Sequence, residues 1–320
     1  MPSEFEVIQV PTDAPDAQEP MGTKLKFWFD HPSLGRCLYK QGRENTGEDW
    51  AEKVASELAE MLVLPHARVE LAVWTDASGA ERRGIVSPSF VPPGGALVHG
   101  NEVLREILAG YPGRETSPTR LYRIPQHTIG AVGGILDQAQ IAPPLDWPSS
   151  PVVGRGVDVF VGYLLLDAWI GNTDRHHENW AWIIVWHPDS SVTFHLAPTY
   201  DHASSLGRNE TDDTRRRRLS TRDRGFSVAA YVDRATSAFY RTEQESRPLS
   251  TCAAFEEAAQ RYPHAARFWL QRLADVGDEQ PLAILRRLPL GMISEPAIEF
   301  ACEMLKISRI RLLQMGGLLP

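Results

Sequence analysis

Between residues 157 and 197 three apolar stretches are interrupted by one strongly polar segment, and that contrast constrains the fold more than any other feature. Val157, Phe160, Val161, Leu164, Leu165, Ala168 and Trp169 recur at the helical period and Gly171 supplies a stop, so the spacing predicts a buried helix over 157–169. The near-continuous apolar runs Trp180–Trp186 and Val192–Ala197 flank His187-Pro-Asp-Ser-Ser191 and read as a β-hairpin. Between helix and hairpin lies Gly171-Asn-Thr-Asp-Arg-His-His-Glu-Asn179. A plain connector has little need of so many ionisable groups between two buried elements; a chemical site does.

The N-terminal part reads differently. Glu4–Val10 predicts a short strand, and the acidic, proline-containing stretch Pro11–Pro20 predicts a loop. Lys24–Phe29 and Arg36–Lys40 predict a hairpin around His31-Pro-Ser33. A helix to about Leu64, capped by Thr46 or Asp49, follows from the recurrence of Trp50, Val54, Leu58, Met61 and Leu62. At 100° per residue Glu57 falls inside that apolar stripe, where a carboxylate needs a partner, whereas Glu52 and Glu60 fall toward the sides or back. Val69–Trp74 and Arg83–Ser87 predict a second strand pair around Asp76-Ala-Ser-Gly79. Val91-Pro-Pro-Gly-Gly95 is the natural boundary between an N-lobe, 1–90, and a C-lobe, 91–320, whose residues from Ser250 onward carry helical patterns. The expected fold is therefore α+β and two-lobed, with a small β-rich N-lobe and a larger, mainly helical C-lobe.

Net charge is −8, so no overall positive field draws in nucleic acid or an anionic membrane. No apolar run approaches the ~20 residues that span a bilayer, and the polar start is unlike a signal peptide, which places the expectation in the cytoplasm. Cys37, Cys252 and Cys302 are scattered and lack Cys-x-x-Cys spacing, which argues against a disulfide framework or structural zinc. The Arg215–Arg218 run is diluted by Asp212, Asp213 and Asp223 and reads as a solvated loop.

Asp174 and Asn179 stand in the D-x-x-x-x-N spacing of a kinase catalytic loop, where the aspartate accepts the proton of the acceptor hydroxyl and the asparagine holds magnesium. After the hairpin, Leu196-Ala-Pro-Thr-Tyr-Asp201 brings a second acidic residue from the far side. Asn179 and Asp201 offer hard oxygen ligands suited to magnesium. A lysine must also reach the phosphates, and Lys40 with the inward-facing Glu57 fits a strand lysine held by a helix glutamate. The competing reading is a zinc or iron site built from His176, His177, His195 and His202, but no metal-ligand spacing supports it, and His176 reads better as a brace for the loop.

The run G-N-T-D-R-H-H-E-N, the hairpin and L-A-P-T-Y-D together resemble the C-lobe signature of the HipA-like kinases, in a short form without an extra N-terminal subdomain. The resemblance implies a protein-kinase-like fold, ATP and magnesium as cofactors, and transfer of the γ-phosphate to Ser or Thr of a protein. It further implies Asp174 as catalytic base and Asn179 and Asp201 as magnesium ligands. Gly22-Thr-Lys-Leu-Lys26 resembles the family's phosphate loop, putting Gly22, Thr23 and Lys26 at the nucleotide together with Lys40. Val86–Phe90 resembles its hinge, adding Ser87, Ser89 and Phe90. The best-known members belong to toxin–antitoxin systems, so a regulatory or antitoxin protein is an expected partner. Glu19-Pro-Met precedes Gly22 where relatives often carry serines, so self-inactivation through the phosphate loop is not expected unless Thr23 takes that role. A small-molecule kinase acting on an antibiotic, sugar or lipid headgroup is the alternative, and a nucleotide-binding pseudokinase is disfavoured because all three C-lobe residues are present.

Overall fold

Strict alternation in two strands sets up the N-terminal half. In the computed structural model, which describes residues 3–15, 17–18, 25–113, 123–138, 141–148 and 150–317, β1 (Val7–Val10), β2 (Ala17–Gln18), β3 (Lys26–His31), β4 (Gly35–Gln41), β5 (Glu70–Thr75) and β6 (Glu81–Pro88) form one sheet. Its order is β1-β5-β6-β4-β3-β2, with β1 parallel to β5 and the rest antiparallel. Because side chains alternate between faces, Phe27, Phe29, Cys37 and Tyr39 pack on one side with Ile8, Val10, Ala72 and Val86. The register pairs Lys26 with Lys40 and Trp28 with Leu38, so these four share the opposite face. Gly84 lets β6 lie close to β4 here, since a Cβ would meet the Lys40 carbonyl oxygen at 2.2 Å.

Helix α1 (Glu48–Met61) crosses that second face. It is buried on far more than one stripe: Glu48, Asp49, Glu52 and Lys53 are covered as fully as Trp50, Val54 and Leu58. Neither Thr46 nor Asp49 caps it; Gly47 occupies the N-cap without a side-chain bond. The Thr46 hydroxyl instead donates to the Arg43 carbonyl.

After the Val91–Gly95 turn the chain enters a second, three-stranded antiparallel sheet of order β7-β8-β9, formed by β7 (Ala96–His99), β8 (Ala181–Trp186) and β9 (Val192–Leu196). Helices α2 (Gly100–Ile107), α3 (Ile129–Gln138) and α4 (Gly156–Ile170) precede the hairpin. Six more follow it: α5 (Asp212–Ser220), α6 (Val228–Asp233), α7 (Thr251–Arg261), α8 (Pro263–Ala274), α9 (Gln280–Leu285) and α10 (Glu295–Gly316). Every residue of α4 is buried, and its apolar side chains join those of α1, α3, α7, α8 and α10 in one continuous core. Burying so much apolar surface is the main source of stability for such a helix.

Three expectations change. The Pro11–Pro20 loop contains the two-residue β2, and residues 96–107, left without a predicted element, supply β7 and α2. Arg215–Arg218 is helical, not a loop: Thr211 caps the N-terminus of α5, Thr221 stands at its C-terminus, and Arg215 is buried with its guanidinium on Asp212 and the Gly207 carbonyl. Among the described residues no helix is long and apolar enough to cross a membrane.

Candidate active site

Gly171 ends α4 in the left-handed conformation, φ 65°, which glycine adopts without the Cβ penalty, and the chain turns back beneath the second sheet. The polar segment that follows is organised by a carboxylate from the helix itself. Asp167 accepts two bonds from Arg175, Nε and Nη2 at 2.8 Å each, and one from Asn172 Nδ2 at 2.8 Å. Arg175 Nη1 donates to the Asn179 carbonyl at 2.7 Å. Burial alone would lower the pKa of Arg175, but the charge and hydrogen bonds of Asp167 outweigh it and raise it, so the guanidinium stays charged. This bidentate pair pins both ends of the loop.

The loop's reactive groups point away from that anchor. Asn179 Nδ2 donates to the Asp174 carbonyl at 2.6 Å, leaving its Oδ1 as the atom able to face a cation. The Asp174 carboxylate is half-exposed, with the Ser204 hydroxyl 3.4 Å from Oδ2 and His176 Nε2 3.8 Å from Oδ1. His176 Nδ1 accepts from the Glu178 amide at 3.2 Å, so the ring proton sits on Nε2, toward Asp174. Burial holds the His176 pKa down to about 4, against the opposing pull of Asp201 and Glu178, and the imidazole is neutral at physiological pH.

Asp201 arrives from the other side on a constrained turn. Its φ of 60° lies in the left-handed region, which a non-glycine residue occupies only when its surroundings hold it there. The holding contacts are visible on both sides. The His202 amide donates to Glu52 Oε1 at 2.8 Å, and the His202 ring meets Thr199 Oγ1 at 2.7 Å. Thr199 in turn exchanges backbone bonds with Pro65 and Ala67 at the end of α1. Burial, then the charge of Arg175, holds the His202 pKa well below its ordinary value. Lys40 Nζ from β4 lies 3.6 Å from Asp201 Oδ2, joining the two halves across a cleft.

That cleft has a volume of about 760 Å³, within the range of small-ligand sites. Lys26, Lys40, Ser87, Ser89 and Phe90 line it from the N-terminal half, and Asp174, His176, Asn179 and Asp201 line it from the C-terminal half. Phe90 stacks on Tyr200 at 5.7 Å between ring centroids. Ser87 Oγ donates to the Arg68 carbonyl at 2.8 Å. Gly22 and Thr23, with Glu19 before them, lie outside the described residues.

Glu57 lies elsewhere than expected. It does not line the cleft or meet Lys40; it accepts from Lys53 at 2.7 Å and from Arg287 at 3.4 Å, while Lys53 also binds Glu70 at 2.9 Å. The carboxylates of α1 that do line the cleft are Glu48, Asp49 and Glu52, all buried. The helical-wheel argument assumed a single apolar stripe facing a single layer. Because α1 is enclosed by the sheet and the C-terminal half together, a position on its side is as buried as one in the stripe.

Sequence reasoning also missed Asp167 and Arg175. The available signal was Asp167 itself, a carboxylate inside an otherwise apolar run. The histidine–metal reading finds no support among the described residues, where no three His, Cys, Asp or Glu converge. His177 meets Tyr111 at 2.8 Å and His195 meets the Pro143 carbonyl at 2.9 Å. A magnesium site of the kind Asn179 and Asp201 fit needs no such cluster, since that ion keeps several waters and takes phosphate oxygens.

No family model and no curated protein matches the sequence. Solved structures do match in three dimensions. A Helicobacter pylori proinflammatory kinase, CtkA, superposes with a TM-score of 0.67 at 15% identity, over 98% of this chain and 97% of that one. The HipA of a Shewanella oneidensis MR-1 toxin–antitoxin complex with HipB and operator DNA superposes with a TM-score of 0.54 at 12% identity, over 93% of this chain and 65% of that one. At such identities the shared property is the architecture: the chain has the two-lobed α+β fold of these two solved structures.

Proposed function

We propose that this protein is an ATP- and magnesium-dependent kinase that transfers the γ-phosphate to a hydroxyl, that of a Ser or Thr in a protein. The observation that carries the reading is the meeting of Lys40, Asp174, Asn179 and Asp201 on one cleft from two halves of the molecule. Phosphoryl transfer asks for that set, because its transition state is stabilised by positioning and by charge on the phosphates.

Asn179 Oδ1 and the Asp201 carboxylate would hold magnesium, and the chemistry the ion supplies when bound is neutralisation of phosphate charge. Lys40, held in place by Asp201, adds a cationic contact to the phosphates. Lys26, beside it on β3, extends that positive face. Asp174 orients the acceptor hydroxyl and takes its proton as the oxygen attacks the γ-phosphorus. The bond to the bridging oxygen of ADP breaks in the same displacement, and ADP carries that electron pair away. His176, neutral, turns Nε2–H toward Asp174 from 3.8 Å, beyond hydrogen-bond reach, and braces the loop by accepting from the Glu178 amide.

The acceptor is taken to be a protein because the cleft is open on the Asp174 side, where the carboxylate is half-exposed. A regulatory or antitoxin protein as partner and a cytoplasmic setting complete the proposal, the first by analogy with the HipA–HipB complex. Incubation with γ-labelled ATP, magnesium and a cell lysate, resolved by gel and by small-molecule chromatography, tests it. Label on protein is expected. Label only on small molecules would replace the acceptor class, and magnesium-dependent ATP binding with no transfer to any acceptor would overturn the kinase reading.

A further inference from the structure

Arginine carries only hydrogen-bond donors, and a serine hydroxyl has one proton to give. Those two facts fix the direction of a chain of contacts behind Asp174. Arg208 Nη2 lies 3.1 Å from Ser204 Oγ, so the hydroxyl must accept there and spend its proton elsewhere; it donates to Asp174 Oδ2 at 3.4 Å. Arg208 Nη1 donates to Glu48 Oε1, at the start of α1, and Glu48 also accepts from the Arg43 amide at 3.0 Å. Arg208 and Glu48 are both buried, and Arg208 Nε is buried without a hydrogen-bond partner, so the orientation of the guanidinium fork rests on Glu48, Asn209 and Ser204. The backbone ties the same pieces together: the Gly47 amide donates to the Arg208 carbonyl at 3.2 Å and the Thr173 amide to the Ser204 carbonyl at 3.1 Å.

We propose that Ser204, aligned by the Glu48–Arg208 pair, is a positioning residue that sets the Asp174 carboxylate for the acceptor hydroxyl, and that α1 thereby controls the base as well as the Lys40–Asp201 side of the cleft. The inference rests on the kinase reading above and goes beyond it, because it ties the orientation of the base to the seating of a helix from the other half. A shift of α1 that breaks Glu48–Arg208 releases the fork, and with it the Ser204 hydroxyl that donates to Oδ2. Arg43 Nη1 also donates to Glu48 Oε1 at 3.2 Å, so the buried charge left uncompensated when the pair breaks is that of Arg208. Misplacement of a reacting group by about 1 Å costs on the order of 100-fold in rate.

The test compares wild type with Ser204→Ala, Ser204→Thr, Arg208→Met and the double variant Ser204→Ala/Arg208→Met in magnesium-ATP phosphotransfer, together with crystal structures of wild type and Ser204→Ala. The expected result is a kcat lower by roughly 10- to 100-fold in Ser204→Ala with KM for ATP and melting temperature unchanged, and recovery in Ser204→Thr, which keeps the hydroxyl. The double variant should transfer no more slowly than Arg208→Met alone, because the two residues act through one contact. In the Ser204→Ala crystal the Asp174 side chain should change rotamer. Full activity in Ser204→Ala, or additive losses in the double variant, would overturn the proposal. If wild type binds magnesium-ATP but transfers nothing, the kinase reading falls, while an unmoved Asp174 in the Ser204→Ala crystal is what would refute the positioning role itself.

Discussion

The loop 171–179 and helix α1 both bring buried charge to the same cleft, and they hold it in opposite ways. In the loop the partners are close in sequence: Asp167, Asn172, Arg175 and Asn179 satisfy one another. In α1 local partners such as Lys53 for Glu57 and Arg43 for Glu48 are joined by others from far along the chain. Glu48 reaches Arg208, Asp49 reaches Arg83, Glu52 receives the His202 amide and Glu57 reaches Arg287. The loop backbone is thus held by its own polar partners, whereas the Asp174 carboxylate it carries meets Ser204 from outside the loop. Helix α1 is where the rest of the molecule sets the relation between Lys40 and Asp201.

If that contrast is right, the largest effect on folding should come from the loop's anchor. Arg175→Met leaves Asp167 buried without its countercharge, and the expected loss is about 3–5 kcal/mol of unfolding free energy, read from denaturant midpoints. A loss under about 1 kcal/mol would mean that the flanking helix and hairpin hold the loop without the pair.

The next effect is a pH dependence on the loop side. His127 accepts from Trp180 Nε1 at 3.2 Å, and burial, with help from the nearby His177, holds its pKa down to about 3. The unfolded histidine takes a proton below about pH 6.5, whereas the folded one does not until about pH 3. Its contribution to stability is therefore complete above pH 6.5 and lost as pH falls through that window. Unfolding free energies measured at pH 7 and 4.5 should show wild type losing roughly 2–3 kcal/mol more than His127→Gln. Parallel losses in the two proteins would remove His127 from the account.

Within α1 two carboxylates give opposite expectations. Glu52→Ala strips the His202 amide of its acceptor and should cost about 1–3 kcal/mol, with reduced phosphotransfer and weaker magnesium-nucleotide binding as Asp201 loosens. Glu57→Ala should be the mildest change, at about 1 kcal/mol or less, because Glu57 is partly exposed and Lys53 keeps Glu70, and transfer should be unaffected. Loss of transfer in Glu57→Ala with retention in Glu52→Ala would reverse the assignment.

The same contrast explains what could be read from the sequence. The meeting of Asp174, Asn179 and Asp201 on one cleft is legible because their segment is short and is framed by a helix and hairpin whose apolar patterns leave little ambiguity. Lys40 was legible because a period-2 strand fixes its face. Glu52 was not, since its burial depends on two layers closing over α1, a long-range fact that helical periodicity does not encode. Arg215–Arg218 reads as a loop for a related reason: its helix is charged on its surface, and its order comes from contacts distant in pattern, Arg218 lying over Phe226 and Tyr231 at 4.4 and 5.0 Å from the ring centroids. The strand β7 offers only four residues of pattern, and its identity comes from pairing with β8.

The central claim is that the two halves meet to move a phosphoryl group, with Asp174 needed only when the acceptor hydroxyl loses its proton. Asp174→Asn tests it most directly, with magnesium-ATP affinity measured by calorimetry and phosphotransfer measured on the same preparation. The account predicts affinity unchanged to within about twofold and turnover lower by about 10²- to 10⁴-fold. Retained turnover in that variant would contradict it.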